Sequence, residues 1–270
     1  MSGRRLRALL RKEWAEARRN RGVTWSFLVM ALAITAVPLL LAFPGIRLLA
    51  GDLATDPQVA RMLAVLVDRL PGLADLPREA QLRVMMLRQC VPLFLLLPLI
   101  GAMTSATYSI VGERASRSLE PLLATPLTTG EMLLGKAVAA AVPAVLGTWL
   151  AFAVFFGGCL ALGGSRITTL AVDDASWLTV LLVTPGLALF GLGAGVLVSA
   201  RARDPRTAQQ VGTLLVLPIM LLLVAQIAGV FLLGTTVAVG GALVLLVLDA
   251  ALLGWGVRLF DRERLLAEWR

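Results

Sequence analysis

Apolar residues run along this chain in long blocks, and polar residues collect in the gaps between them. Six blocks, 23–43, 91–111, 137–161, 178–200, 208–228 and 236–257, each predict a membrane-spanning helix. The basis is length: about 20 apolar residues rising about 1.5 Å each cover a hydrocarbon core of about 30 Å. The chain has one Tyr and no sustained β-branched alternation, so an outer-membrane barrel does not fit. The pattern predicts an all-α polytopic membrane protein, one transmembrane domain over residues 1–270.

Finer spacing marks the segments between the blocks. In residues 3–21, Leu6, Leu10 and Trp14 recur at i, i+4, i+8, and Arg4, Arg5, Arg7, Arg11 and Lys12 flank that stripe. This predicts an interfacial helix over 1–22, its apolar side in the lipid and its arginines on lipid phosphates. A secretory leader is the alternative, but the apolar block that follows is too long and no A-x-A cleavage site ends it. In 44–90, Val59, Met62, Leu63, Leu66 and Leu70 give one helical face, and Pro77-Arg78-Glu79 opens a second helix. Two short helices on the outer face are expected there, either as a substrate-receiving lid or as a passive cover. Gly191, Gly195 and Ser199 form a small-residue face suited to close helix packing. Gln226 and Gly229 suggest a break before the short link Gly234-Thr235-Thr236.

Composition agrees with the pattern, since 58% of residues are hydrophobic and 16% charged. Charge then orients the chain. The N-terminal segment holds eight Lys/Arg, 112–136 three, 201–207 three and 258–270 four; on the other side 44–90 holds six and 162–177 one. The positive-inside rule places both termini, the 258–270 tail and 112–136 in the cytoplasm, with 44–90 outside. The basic excess thus belongs to the membrane, and no nucleic-acid partner is expected. There is no His, and the only cysteines are Cys90 and Cys159. A transition-metal site and a His-dependent nucleophile are therefore not expected. A disulfide between the two cysteines stays open.

The stretch 112–136 is polar and broken by two prolines. Pro121 suits a helix start and Pro126 stops it, leaving about one turn over Pro121–Thr125. Leu119, Leu122 and Leu123 give that turn an apolar face. Glu113, Arg114, Arg117, Glu120 and Glu131 surround it, and Thr128-Thr129-Gly130-Glu131 fits a capping box that starts the next helix. Gly130 to Lys136 has the spacing of a phosphate-binding loop, but Ala137 stands where the Mg²⁺-binding hydroxyl belongs and no strand precedes it. Asp249 is the one acid deep inside a span, and it serves either function or helix pairing.

The run from Gly112-Glu113-Arg114 through Leu119-Glu120-Pro121-Leu122-Leu123-Ala124-Thr125-Pro126-Leu127 to Glu131 and Lys136 resembles the signature connector of ABC-2 type transporter permeases. It is most similar to the branch with the sodium-exporter and nitrous-oxide-reductase-maturation permeases. Leu9-Leu10-Arg11-Lys12-Glu13-Trp14 is similar to that family's N-terminal elbow helix. The resemblance implies a transport subunit, not an enzyme, that pairs with a second permease copy or paralogue and with separate ABC ATPase subunits. It implies a coupling helix over Leu119–Thr128 seated on the ATPase. It also implies no cofactor in this chain, with ATP and Mg²⁺ bound by the partner. The substrate is not carried by these residues. An ion-gradient-driven transporter and a membrane-embedded lipid enzyme are the alternatives. The first has only Asp249 in its favour, and the second only Asp173-Asp174.

Overall fold

The computed structural model describes residues 21–115, 129–201 and 234–259, with single helical positions at 210, 214, 217, 220, 221, 224 and 225. Among the described residues the fold is all-α, without a strand. The elements in order are α1 (Arg21–Leu40), a π-helical turn (Leu41–Gly45), α2 (Ile46–Thr55), α3 (Pro57–Arg69), α4 (Pro71–Ala74) and α5 (Arg78–Cys90). A 3-10 turn (Val91–Leu95), α6 (Leu96–Ala115), α7 (Thr129–Ala171), α8 (Asp174–Arg201) and α9 (Thr235–Leu259) complete them. Among the described residues, five segments are long and apolar enough to cross a membrane: Thr24–Gly45, Arg78–Thr107, Val138–Ala171, Asp174–Val198 and Thr235–Leu252. Trp25, Leu28, Val29 and Leu32 on α1, and Leu243, Val244, Leu246 and Val247 on α9, point outward. Outward apolar faces of this extent suit hydrocarbon, not water. This is a multi-pass membrane protein.

Helix directions follow from paired contacts. Phe27 of α1 meets Gly147 of α7, Leu39 meets Gly158 and Phe43 meets Gly163, so α1 and α7 are parallel. Gly101 of α6 faces Ala144, while Phe94 reaches Phe152 and Phe155, so the chain through α6 is antiparallel to α7. Gly191 and Gly195 of α8 face Leu99 and Met103, which makes α6 and α8 parallel. Gly186 and Gly193 of α8 face Leu245 and Leu252 of α9, so these two are also parallel. Small residues set this arrangement because dispersion between close backbones, not water exclusion, holds helices together in lipid.

One end of the bundle is closed by a helical cap, α2 to α5. The Asp56 carboxylate accepts from the N–H of Gln58 at 2.7 Å and of Val59 at 3.4 Å, and Pro57 occupies the first turn of α3. Leu63 and Leu66 are buried, and Val59, Met62 and Leu70 pack against them, the face expected from their spacing. The Gln81 side chain donates to the Leu76 carbonyl at 2.9 Å and so holds the turn before α5. Beneath the cap, Phe94, Phe152 and Phe155 are fully buried, and Phe152 and Phe156 meet Trp177 edge-on at 4.9 and 5.3 Å. Such pairs add about 0.5–1.5 kcal/mol each beyond burial.

Two expectations change. The 44–90 segment is almost continuously helical, because the first and second spans extend into α2 and α5. The expected connector 162–177 is mostly helix, with α7 continuing to Ala171 and only Val172-Asp173 before α8. Its threonines are compatible with a helix because their hydroxyls donate to carbonyls one turn back: Thr168 to Gly164 at 2.8 Å and Thr169 to Ser165 at 3.0 Å.

Candidate functional site

The end opposite the cap is where α6 and α7 stop. α6 carries the backbone of Glu113 and Arg114 to Ala115, and α7 resumes at Thr129 with Glu131 in its first turn. Because the two helices are antiparallel neighbours, the connector joins two adjacent helix ends. Arg117, Leu119, Glu120, Pro121, Leu122, Leu123, Thr125, Pro126, Leu127 and Thr128 lie outside the described residues. So do the elbow residues Arg4, Arg5, Leu6, Arg7, Leu10, Arg11, Lys12 and Trp14, the tail from 260, and Gln226.

Behind the connector, α8 is the central helix. A β-carbon at Gly191 would overlap the Leu99 carbonyl oxygen, and one at Gly195 would stand 2.8 Å from that of Met103. The partner atoms are backbone, so these positions fix the distance between α6 and α8. Ser199 follows one turn later in the same helix. The opposite face of α8 receives Asp249 from α9. Asp249 is 6% exposed, and a β-carbon at Gly186 would lie 3.7 Å from its Oδ2. Its Oδ1 is buried and, among the described residues, accepts no hydrogen bond. The Thr184 hydroxyl, also on α8, is likewise buried and without a partner among the described residues. Unpaired polar atoms inside a span are costly, by about 1–3 kcal/mol each.

Sequence reasoning missed Arg88. Its guanidinium forms an ion pair with Asp173 and donates to the Leu170 carbonyl at 3.1 Å. The second Asp173 oxygen accepts from the Ser176 N–H at 2.9 Å and hydroxyl at 2.7 Å, capping α8. Partial burial pushes the Asp173 carboxyl up, but the bonds from Ser176 and Arg88 and the Arg88 charge outweigh it. The net effect is a carboxyl held below its usual range. A charge bordering the apolar block 91–111 was the available signal, since such a residue must find a partner or reach water. A second, exposed bridge joins Arg166 to Asp75 at 3.3 Å. Cys90 and Cys159 are free thiols. Among the described residues, no group of three or more His, Cys, Asp or Glu could hold a metal.

A search of proteins with curated functions returns no match to this chain. The profile of the family described as ABC-2 family transporter protein matches residues 7–242, which takes in the region before α1, all of α1 to α8 and the start of α9. The chain belongs to the ABC-2 transporter family, as a membrane domain of an ABC transporter.

Proposed function

We propose that this chain is the permease subunit of an ATP-driven exporter of the bacterial inner membrane, coupled through residues 112–136 to a separate ATPase subunit. The observation that carries the reading is the antiparallel pair α6 and α7, which ends at one face of the bundle on either side of a 13-residue polar connector within the family match. A turn with Leu119, Leu122 and Leu123 on one side, delimited by Pro121 and Pro126, offers an apolar knob for a groove in the partner. ATP and Mg²⁺ act there and not in this chain. Closure of the ATPases pushes the connector, and α6 and α7 carry the motion into the bundle.

Six spans fit this reading better than five. α8 and α9 run parallel, so the chain between them returns to its starting face, and 208–228 is apolar enough to cross. The elbow over 1–22 lies on the anionic leaflet, and a second copy or paralogue completes the permease. Co-purification with the cognate ATPase tests the coupling. Leu122→Asp with Leu123→Asp is expected to abolish the complex and transport-coupled ATP hydrolysis. Full retention of both overturns the assignment.

A further inference from the structure

Every covalent passage between the cap and the membrane-spanning helices departs from α-helical geometry. Between α1 and α2 the chain makes the π turn Leu41–Gly45, containing Pro44. Between α5 and α6 it makes the 3-10 turn Val91–Leu95, containing Pro92. Within α7, Gly164 stands at φ 73, ψ 175, a conformation open essentially only to glycine, so Ser165–Ala171 is a separate helical piece. The fourth passage is the Val172-Asp173 link into α8. Phe43 of the π turn packs on Gly163, which sets the first and third breaks side by side. Short 3-10 or π stretches inside long helices mark hinges, because the regular i→i+4 ladder that resists bending is interrupted there.

The contacts on the two sides of these breaks differ in kind. Above them, the 165–173 piece is fastened to the cap by directional, charged bonds: Arg88 to Asp173 and to the Leu170 carbonyl, and Arg166 to Asp75. Leu170 also packs over Gly72 of α4. Across the first three breaks the contacts are apolar, made by Phe43, Leu87, Phe94 and Phe155 of one cluster; at the fourth, Asp173 caps α8 through Ser176 and so pins the 165–173 piece to α8 at a single pivot. Apolar contacts have no preferred angle and allow sliding, whereas charged hydrogen bonds are directional and resist it.

We infer that α2 to α5 and residues 165–173 form one rigid unit that swings on the bundle about Leu41–Gly45, Val91–Leu95 and Gly164. On the export reading above this unit is the gate over the exit, opening when the bundle is driven from its opposite end. It is thus a moving part and not a fixed cover.

The hinge is tested by spin-label distances in the full chain in lipid nanodiscs, with Cys90→Ser and Cys159→Ala removing the native thiols. Labels at Val65→Cys in the cap and Thr169→Cys in the 165–173 piece report within the unit. Labels at Val65→Cys and Val154→Cys, the latter on the membrane part of α7, report across the hinge. All three sites are exposed. The cross-hinge distribution is expected to be about twofold broader than the internal one, the behaviour of a rigid body on a hinge. Gly164→Ala, whose methyl would meet no atom within 4 Å and so acts only through backbone strain, is expected to change the cross-hinge distribution and leave the internal one alone. If Gly164→Ala yields no folded protein, Pro92→Ala takes its place with the same expectation. Equal widths, or changes of equal size in both pairs, overturn the hinge. These readouts need no ATPase, so they separate from the permease assignment. A complex that assembles and hydrolyses ATP while the cross-hinge distance stays fixed through the cycle overturns the gate and leaves the permease standing. A cross-hinge pair that moves in a chain binding no ATPase upholds the hinge and removes the exporter.

Discussion

Replacing Arg88 by Met keeps the apolar stem and removes the charge, the Asp173 ion pair and the bond to Leu170. The magnitude depends on burial. The side chains of Arg88 and Asp173 are 14% and 28% exposed, against 60% and 72% for Arg166 and Asp75. Breaking a fully buried pair costs about 3–5 kcal/mol and an exposed one about 0.2–1 kcal/mol, so Arg88→Met is placed at about 2–3 kcal/mol. At about 2–4 °C per kcal/mol for a chain of this size, the melting temperature falls by about 4–12 °C. Asp173→Asn costs less, since its oxygen can still cap Ser176. Tryptophan fluorescence of the protein in nanodiscs follows the transition, with Trp177 near the affected junction. The double variant supplies the decisive number: a coupling of about 1–2 kcal/mol identifies a direct pair. Additive single effects, or an Arg166→Met loss as large as that of Arg88→Met, would refute the assignment of Arg88 as the main fastening of the cap.

The same pair has a pH signature. A carboxyl held below its ordinary range stabilises the fold above the unfolded pKa of about 4 and loses that contribution as acid protonates it, so the wild-type advantage over Asp173→Asn shrinks toward zero below that pH in melting curves. Gly191→Ala forces a methyl onto the Leu99 carbonyl and is expected to lower stability by about 1–3 kcal/mol. Gly157→Ala, with open space around its β-carbon, should raise stability by about 0.5–1 kcal/mol, and a matching loss there would defeat the close-approach explanation. Asp249→Leu removes a carboxylate with one unpaired buried oxygen and is expected to leave melting unchanged or raise it; a drop shared with Asp249→Asn would show a helix-pairing bond instead.

The spans were legible because lipid allows few solutions. A backbone without water must bond to itself, so an apolar block of sufficient length becomes a helix whatever surrounds it. Gly191 and Gly195 were legible for a related reason, since glycine at four-residue spacing in lipid has little use besides close approach. The extent of the helices was less so. Leu162 to Trp177 carries Gly163, Gly164, Ser165, two threonines and two aspartates, a composition that reads as a water-side connector. The threonines instead bond back along the helix, Asp173 caps the next one, and Gly164 makes a break inside the helix.

Arg88 and Asp173 show what a linear reading could not reach. They are 85 positions apart, and each alone resembles an ordinary charge at the border of a span. Only the folding of α7 against α5 brings them together, and that depends on where α7 ends. Had the helix stopped at residue 161, Leu170 and Asp173 would have lain in a free connector with nothing to hold Arg88. The continuation through Gly164 to Ala171 is what creates both the partner for Arg88 and the break about which the pair can move. The same glycine thus extends the third span into the cap and uncouples it from the membrane, which is why ending that span at residue 161 hid the fastening and the hinge together.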